Sequence, residues 1–278
     1  MTVLVVLDFS GTLSLDTVRF AAPDRITAEL RDAGLWSLGI DSAALFWERV
    51  IRPSWPRGST TTTGYLTVLS DAVADVLRMR RDDVARETIE RCVGAFAVRY
   101  FAGSTIAPQW RACLKRLAVH DDTAVVIATD HYAEATAHIS AELATLGITS
   151  APVAGGAAQE RPVAVANSAD LGCHKTSARY WQAVARALGR HQLSRVVLID
   201  DFGASEAAGD TYADPARVAR RHASASTVLS EVFAVDPDVY PFTLPPDASA
   251  DDIQRMVDDA ERFTMTVLSR PPGPQAER

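Results

Sequence analysis

The sequence predicts an α/β fold: a doubly wound, Rossmann-like parallel sheet with a helical cap domain. Three observations carry this expectation. Short, wholly apolar runs recur along the chain, as strands buried on both faces require. Helical patterns separate these runs, the rhythm of a parallel sheet with crossover connections. One long helix-rich stretch interrupts the alternation directly after the first run.

The first strand is Val3-Leu4-Val5-Val6-Leu7, which leads into Asp8-Phe9-Ser10-Gly11-Thr12. A carboxylate therefore ends a central strand and a glycine turn follows it. In open α/β sheets this edge is where ligands bind. From residue 12 to about residue 108, apolar residues recur at helical spacing, over 26–35, 43–51, 65–77 and 84–101. This predicts a helical insert over residues 15–103. Within it, Arg52-Pro53-Ser54-Trp55-Pro56-Arg57-Gly58 and the Ser/Thr run after it read as a loop, because of the two prolines and the glycine.

Strands over 124–128, 163–166 and 196–199 then alternate with helices over 109–117, 133–146 and 177–188. Gly147 and Gly189 stand where helix stops belong. Residues 1–14 and 104–240 make up the expected core. The pattern weakens after Asp210, then residues 251–268 read as one amphipathic helix. Residues 241–278 are expected to be that helix and a frayed tail from Pro271.

Bulk properties narrow the function. The net charge of −7 argues against a general nucleic-acid surface. No stretch approaches membrane-spanning length, and the first apolar run lacks a basic flank and the length of a signal peptide. Cys92, Cys113 and Cys173 are widely spaced and odd in number, suggesting neither a disulfide framework nor a metal cluster. A soluble protein of the reducing cytoplasm is expected. Of 28 basic residues only Lys115 and Lys175 are lysines.

Four stretches converge if the strands are parallel neighbours. Asp8 ends the first strand, and Thr129 ends the second, in Val125-Val126-Ile127-Ala128-Thr129. Lys175 lies at a helix start, in His174-Lys175-Thr176-Ser177, and Asp200-Asp201 end the last strand before Phe202-Gly203. Acids gathered at one sheet edge repel unless a cation sits among them, and hard oxygen ligands favour Mg²⁺. A hydroxyl, a lysine and turn N–H groups form a cradle for phosphate.

This ordered set resembles the haloacid dehalogenase superfamily of hydrolases, mostly magnesium-dependent phosphatases. The resemblance covers about residues 3–210. It implies Asp8 as nucleophile and metal ligand, the Ser10 carbonyl as a further ligand, Thr129 and Lys175 as phosphate holders, and Asp201 as the second acidic ligand with Asp200 behind it. The insert lies where this family places its cap. Phe9, Asp130 and His174, beside the motif residues, and Arg52, Trp55 and Arg57 of the insert are the expected substrate contacts. The expected partner is a small phosphorylated metabolite, with no nucleic acid and no membrane.

One position departs from the family pattern. Family phosphatases usually carry a second aspartate, a general acid and base, where this chain has Ser10. Three readings stay open: a phosphatase aided by another group, with Asp16, Glu48 and Asp130 as candidates; a phosphotransferase with a persistent aspartyl phosphate; and a non-catalytic binder of a phosphorylated ligand. Two relatives fit less well. Phosphonoacetaldehyde hydrolases need a cap lysine, and the insert has none. Haloacid dehalogenases proper carry an aromatic in place of Ser10 and need no metal, whereas adjacent Asp200-Asp201 suit one.

Overall fold

The computed structural model describes residues 2–79, 84–156, 162–189, 193–205, 215–245 and 247–270. The expected tail from Pro271 lies outside them. The strands are β1 (Thr2–Asp8), β2 (Thr123–Thr129), β3 (Ser150–Pro152), β4 (Val163–Asn167), β5 (Leu193–Asp200) and β6 (Asp238–Pro241). They form one six-stranded sheet in the order β3-β4-β2-β1-β5-β6, with every pairing parallel.

The apolar runs divide their side chains between the two faces. Val3, Val5 and Leu7 of β1 join a core with α7 (Trp110–Ala118), α8 (Glu134–Thr145) and α12 (Ala250–Ser269). Leu4 and Val6 join another with α10 (Ala178–Leu188) and α11 (Pro215–Phe233). The chain leaving β1 thus returns over one face and the chain leaving β5 over the other. A crevice opens at such a switch point, between the carboxyl ends of β1 and β5. Asp8 and Asp200 are the last residues of those strands.

The insert is helical, as expected: α1 (Leu15–Phe20), α2 (Pro23–Asp32), α3 (Ala43–Leu45), α4 (Arg52–Gly58), α5 (Tyr65–Met79) and α6 (Arg86–Gly103). In α5, buried Tyr65, Val68, Leu69, Ala72, Val73, Val76 and Leu77 recur at three and four residues, one face of a helix. They meet Phe20, Leu30, Phe46, Val93 and Phe96 in a core separate from the two around the sheet. Tyr132, from the loop after β2, is the sheet-side residue buried in it.

Residues 52–58 correct the sequence reading, being helical rather than loop. A π-helical turn, Phe46–Ile51, joins α3 to α4. Pro53 follows the π turn directly: Arg52 N–H still bonds back to Trp47 O, and the chain stays helical through the proline. Hydroxyls back-bond along and just beyond the helix: Ser54 donates to Ile51 O (3.1 Å), Ser59 to Trp55 O (2.6 Å), Thr60 to Pro56 O (2.5 Å) and Thr61 to Arg57 O (2.8 Å). The strands β3 and β6, also unanticipated, are short edge strands ending in proline, where a lost N–H costs the sheet nothing.

The insert is seated tightly on the core. A Cβ on Gly58 would lie 2.2 Å from Cε1 of the buried Tyr132 ring. Helix propensity alone favours alanine over glycine by about 1 kcal/mol. The contact reverses that sign: Gly58→Ala should lower unfolding stability in urea by roughly 1–3 kcal/mol, the usual cost of overpacking. An unchanged or raised stability would show that α4 does not sit against Tyr132 this closely.

Candidate active site

At the switch point Lys175 Nζ donates to Asp8 Oδ1 at 2.5 Å and to Asp200 Oδ2 at 2.9 Å. One carboxylate oxygen from each of Asp8, Asp200 and Asp201 lies within 4.8 Å of the other two, and all three residues are buried. Burial pushes the Asp8 carboxyl well above the usual range, with Lys175 opposing and Asp200 and Asp201 adding to the shift. Burial, then Asp200, raises Asp201 to about 6. Burial works against the Lys175 charge, but Asp200, Asp8 and Asp130 outweigh it and hold the ammonium protonated. One ammonium among these carboxylates leaves negative charge in excess, and closely set hard oxygens are the donor set of a divalent cation. The residues present fit such an ion.

Asp200 and Asp201 are held by the turn that follows them. Beyond β5 the backbone bends sharply, with Phe202 at φ 54° and Gly203 at φ 75°. A left-handed phenylalanine is strained, and such strain gathers at functional sites. Here it turns Phe202 N–H to Asp200 Oδ1 (2.7 Å), Gly203 N–H to Asp201 Oδ1 (2.9 Å) and Ser205 N–H to Asp201 Oδ2 (3.0 Å). The Phe202 ring packs on His222, centroids 4.7 Å apart. Both Asp201 oxygens thus accept backbone N–H groups. Asp200, expected behind its neighbour, is the acid that shares Lys175 with Asp8.

The register pairs Asp8 with Ala128, so Thr129 lies one residue further along the adjacent strand. Asp130 Oδ1 accepts the Lys175 backbone N–H at 2.9 Å, an anchoring role beyond the substrate contact expected of it. The loop after it is pinned from β4: His131 N–H donates to Ser168 Oγ (3.0 Å) and Asn167 Nδ2 to Tyr132 O (2.9 Å). Burial holds the His131 imidazole down at about 4, so it is neutral through the physiological range.

The structure does not bring every expected residue to this cluster. Ser10, half-buried and paired with Ser14 across the return of the glycine turn, does stand beside it, since its neighbour Gly11 abuts Asp201. Phe9 is buried in the core on the far side of the strand, edge-on to His138, because side chains alternate along an extended chain. Arg52 and Arg57 are exposed and bonded to Glu48 (2.6 Å) and Asp71 (2.9 Å). Asp16 stands near Arg19 (3.9 Å) on an exposed helix face. Trp55 meets Tyr132 edge-on, with centroids 5.3 Å apart, and His174 Nε2 lies 2.8 Å from Ser59 Oγ.

Four residues escaped the sequence reading: Ser59, Tyr132, Asn167 and Ser168. The pair Asn167-Ser168 had a signal, since polar residues directly after an apolar strand mark a helix cap, and Asn167 does cap the short helix α9 (Ser168–Leu171). Ser59 is one hydroxyl in a Ser/Thr run and had none.

Gly11 carries a steric test of this geometry. It has φ 79°, and a Cβ there would lie 2.3 Å from Asp201 Oδ2. Gly147 has nearly the same φ, 76°, with nothing within 4 Å of its Cβ position. Gly147→Ala should cost only the backbone penalty, about 1 kcal/mol, and Gly11→Ala roughly 2–4 kcal/mol. Equal losses on urea unfolding would mean that Asp201 does not press on the turn.

No family model and no curated protein matches the chain. Among solved structures, a predicted HAD-like family hydrolase from Porphyromonas gingivalis is similar at 12% identity and a TM-score of 0.48, over 92% of this chain and 98% of that one. A 2-haloacid dehalogenase from Pseudomonas syringae pv. Tomato DC3000 is similar at 18% identity and a TM-score of 0.47, over 95% of this chain and 100% of that one.

Proposed function

We propose that the chain is a phosphohydrolase acting on a small phosphate monoester, with Asp8 as nucleophile. The observation that carries this reading is the Lys175 ammonium held between Asp8 and Asp200, with Asp201 in the same cluster. Phosphoryl transfer asks a protein mainly for positioning and charge neutralisation. A buried cluster of acids and one lysine at a sheet switch point offers both.

Mg²⁺ is the proposed cofactor, held by the carboxylates of Asp8, Asp200 and Asp201 and the carbonyl of Ser10; it would neutralise charge on the phosphoryl oxygens. The chain's own groups do the rest. Lys175 and the Thr129 hydroxyl hold phosphoryl oxygens. An oxygen of ionised Asp8 bonds to phosphorus as the bond from phosphorus to the alcohol oxygen breaks, and the departing alcohol oxygen takes a proton from solvent water. A water oxygen then bonds to phosphorus, its bond to Asp8 breaks, and inorganic phosphate departs with the carboxylate restored. Ser10 is too weak an acid for either proton transfer, which favours a second reading in which the aspartyl phosphate persists and passes to another acceptor. Among the described residues no helix is long and apolar enough to cross a membrane, and a cytoplasmic location is part of the proposal.

A panel of phosphorylated metabolites, scored by released phosphate, tests the reading. Turnover should require Mg²⁺ and vanish on chelation, and Asp8→Asn should abolish it while leaving the fold intact. Turnover that survives Asp8→Asn would rule out Asp8 as nucleophile. Ser10→Asp should speed phosphate release by about 10²-fold or more, the lower end of general acid–base assistance. No gain would mean that the proton travels by another route.

A further inference from the structure

We propose that His174 is a positioning residue for Lys175, acting through Ser59 of the cap. The pair forms a latch that fixes the lysine loop when the cap is seated.

The argument begins with one proton. Ser59 is fully buried at the end of α4, and its hydroxyl donates to Trp55 O at 2.6 Å. That hydroxyl has a single hydrogen. Ser59 Oγ, 2.8 Å from His174 Nε2, therefore accepts there, and His174 carries its hydrogen on Nε2. The direction of the bond is fixed: the core donates into the cap.

The lysine loop is gripped at successive points. Lys175 N–H is held by Asp130 at 2.9 Å, and Lys175 C=O accepts from Trp181 Nε1 at 2.7 Å. His174 C=O accepts Ser177 N–H at 2.9 Å, which closes the turn. These bonds all come from the core. The His174 side chain supplies the one fastening from the cap among the described contacts of this turn, and it sits one residue from the lysine that spans Asp8 and Asp200.

The other motif loop is fastened in the same way. Directly after Thr129-Asp130, His131 Nε2 lies 2.8 Å from Tyr100 Oη of α6, and Tyr132 is buried in the cap core. Glu134 accepts the Tyr65 N–H at the start of α5, at 2.7 and 2.8 Å from its two oxygens. Both loops at the site are thus bonded to the cap within a few residues of their site residue. For His174 that bond is a single hydrogen bond, which one substitution removes.

Amide-resolved hydrogen exchange by NMR tests this on the whole chain without any substrate, so its outcome is independent of the phosphatase reading, on which only the consequence for turnover rests. The Lys175 N–H is the probe. Ser59→Ala, a cap change with no contact to Lys175, should speed its exchange about tenfold, the size of one hydrogen bond. His174→Leu should do the same, and the double variant should exchange no faster than either single one, since both remove one bond. His174→Gln keeps a donor and should restore most of the protection. Lys175 exchange unchanged in Ser59→Ala, or additive effects in the double variant, would overturn the proposal.

Discussion

The site depends on one charge balance: a single ammonium, Lys175, set against the carboxylates of Asp8, Asp200 and Asp201 where the sheet changes the direction of its connections. Burying like charges this closely is unfavourable, and the bonds that each acid makes offset it, Asp8 through Lys175 itself. Backbone N–H groups hold Asp200 and Asp201, at the expense of a left-handed phenylalanine. Asp130 fixes the lysine's own backbone. With all members pinned, the cluster cannot relax by moving apart. Its charge must be met by a cation or by protonation, since burial and the neighbouring acids raise both Asp8 and Asp201.

The cap gives this balance its surroundings. It has its own apolar core, yet Tyr132 from the second motif loop is buried in it. Gly58 allows α4 to lie against that ring. The two linkers are also tied: Ala107 N–H bonds to Leu13 O at 2.8 Å, and Ile106 N–H to Glu142 at 3.0 Å. Cap seating and the shape of the two motif loops are therefore one structural problem. Arg52 and Arg57, expected as substrate contacts, are engaged instead with Glu48 and Asp71.

Much of this was legible in the sequence because the physics is local. Wholly apolar runs with a polar residue at the end can be read as buried strands, and the order of Asp8, Thr129, Lys175 and Asp200-Asp201 followed from strand order. The glycines at 147 and 189 stop helices with positive φ, as expected. What could not be read depends on partners distant in sequence. Residues 52–58 are helical because a π turn carries the chain straight into them, prolines included. The strands β3 and β6 exist because β4 and β5 offer them edges, and three or four residues carry no period of their own. Ser59 matters only because His174 lies opposite, 115 residues away. Phe9 shows the opposite error, in which nearness to Asp8 in sequence suggested a site that strand alternation denies it.

The account stands most directly on whether the cluster takes a cation and a phosphoryl-like group together. Fluorine NMR of the protein with trifluoroberyllate, which mimics a phosphoryl group on an aspartate, measures this. Bound fluorine resonances should appear only when Mg²⁺ is present, and should be lost when Lys175 is replaced by methionine. Bound resonances indifferent to both, or none at saturating Mg²⁺ and trifluoroberyllate, would contradict the claim that these residues form a phosphoryl site.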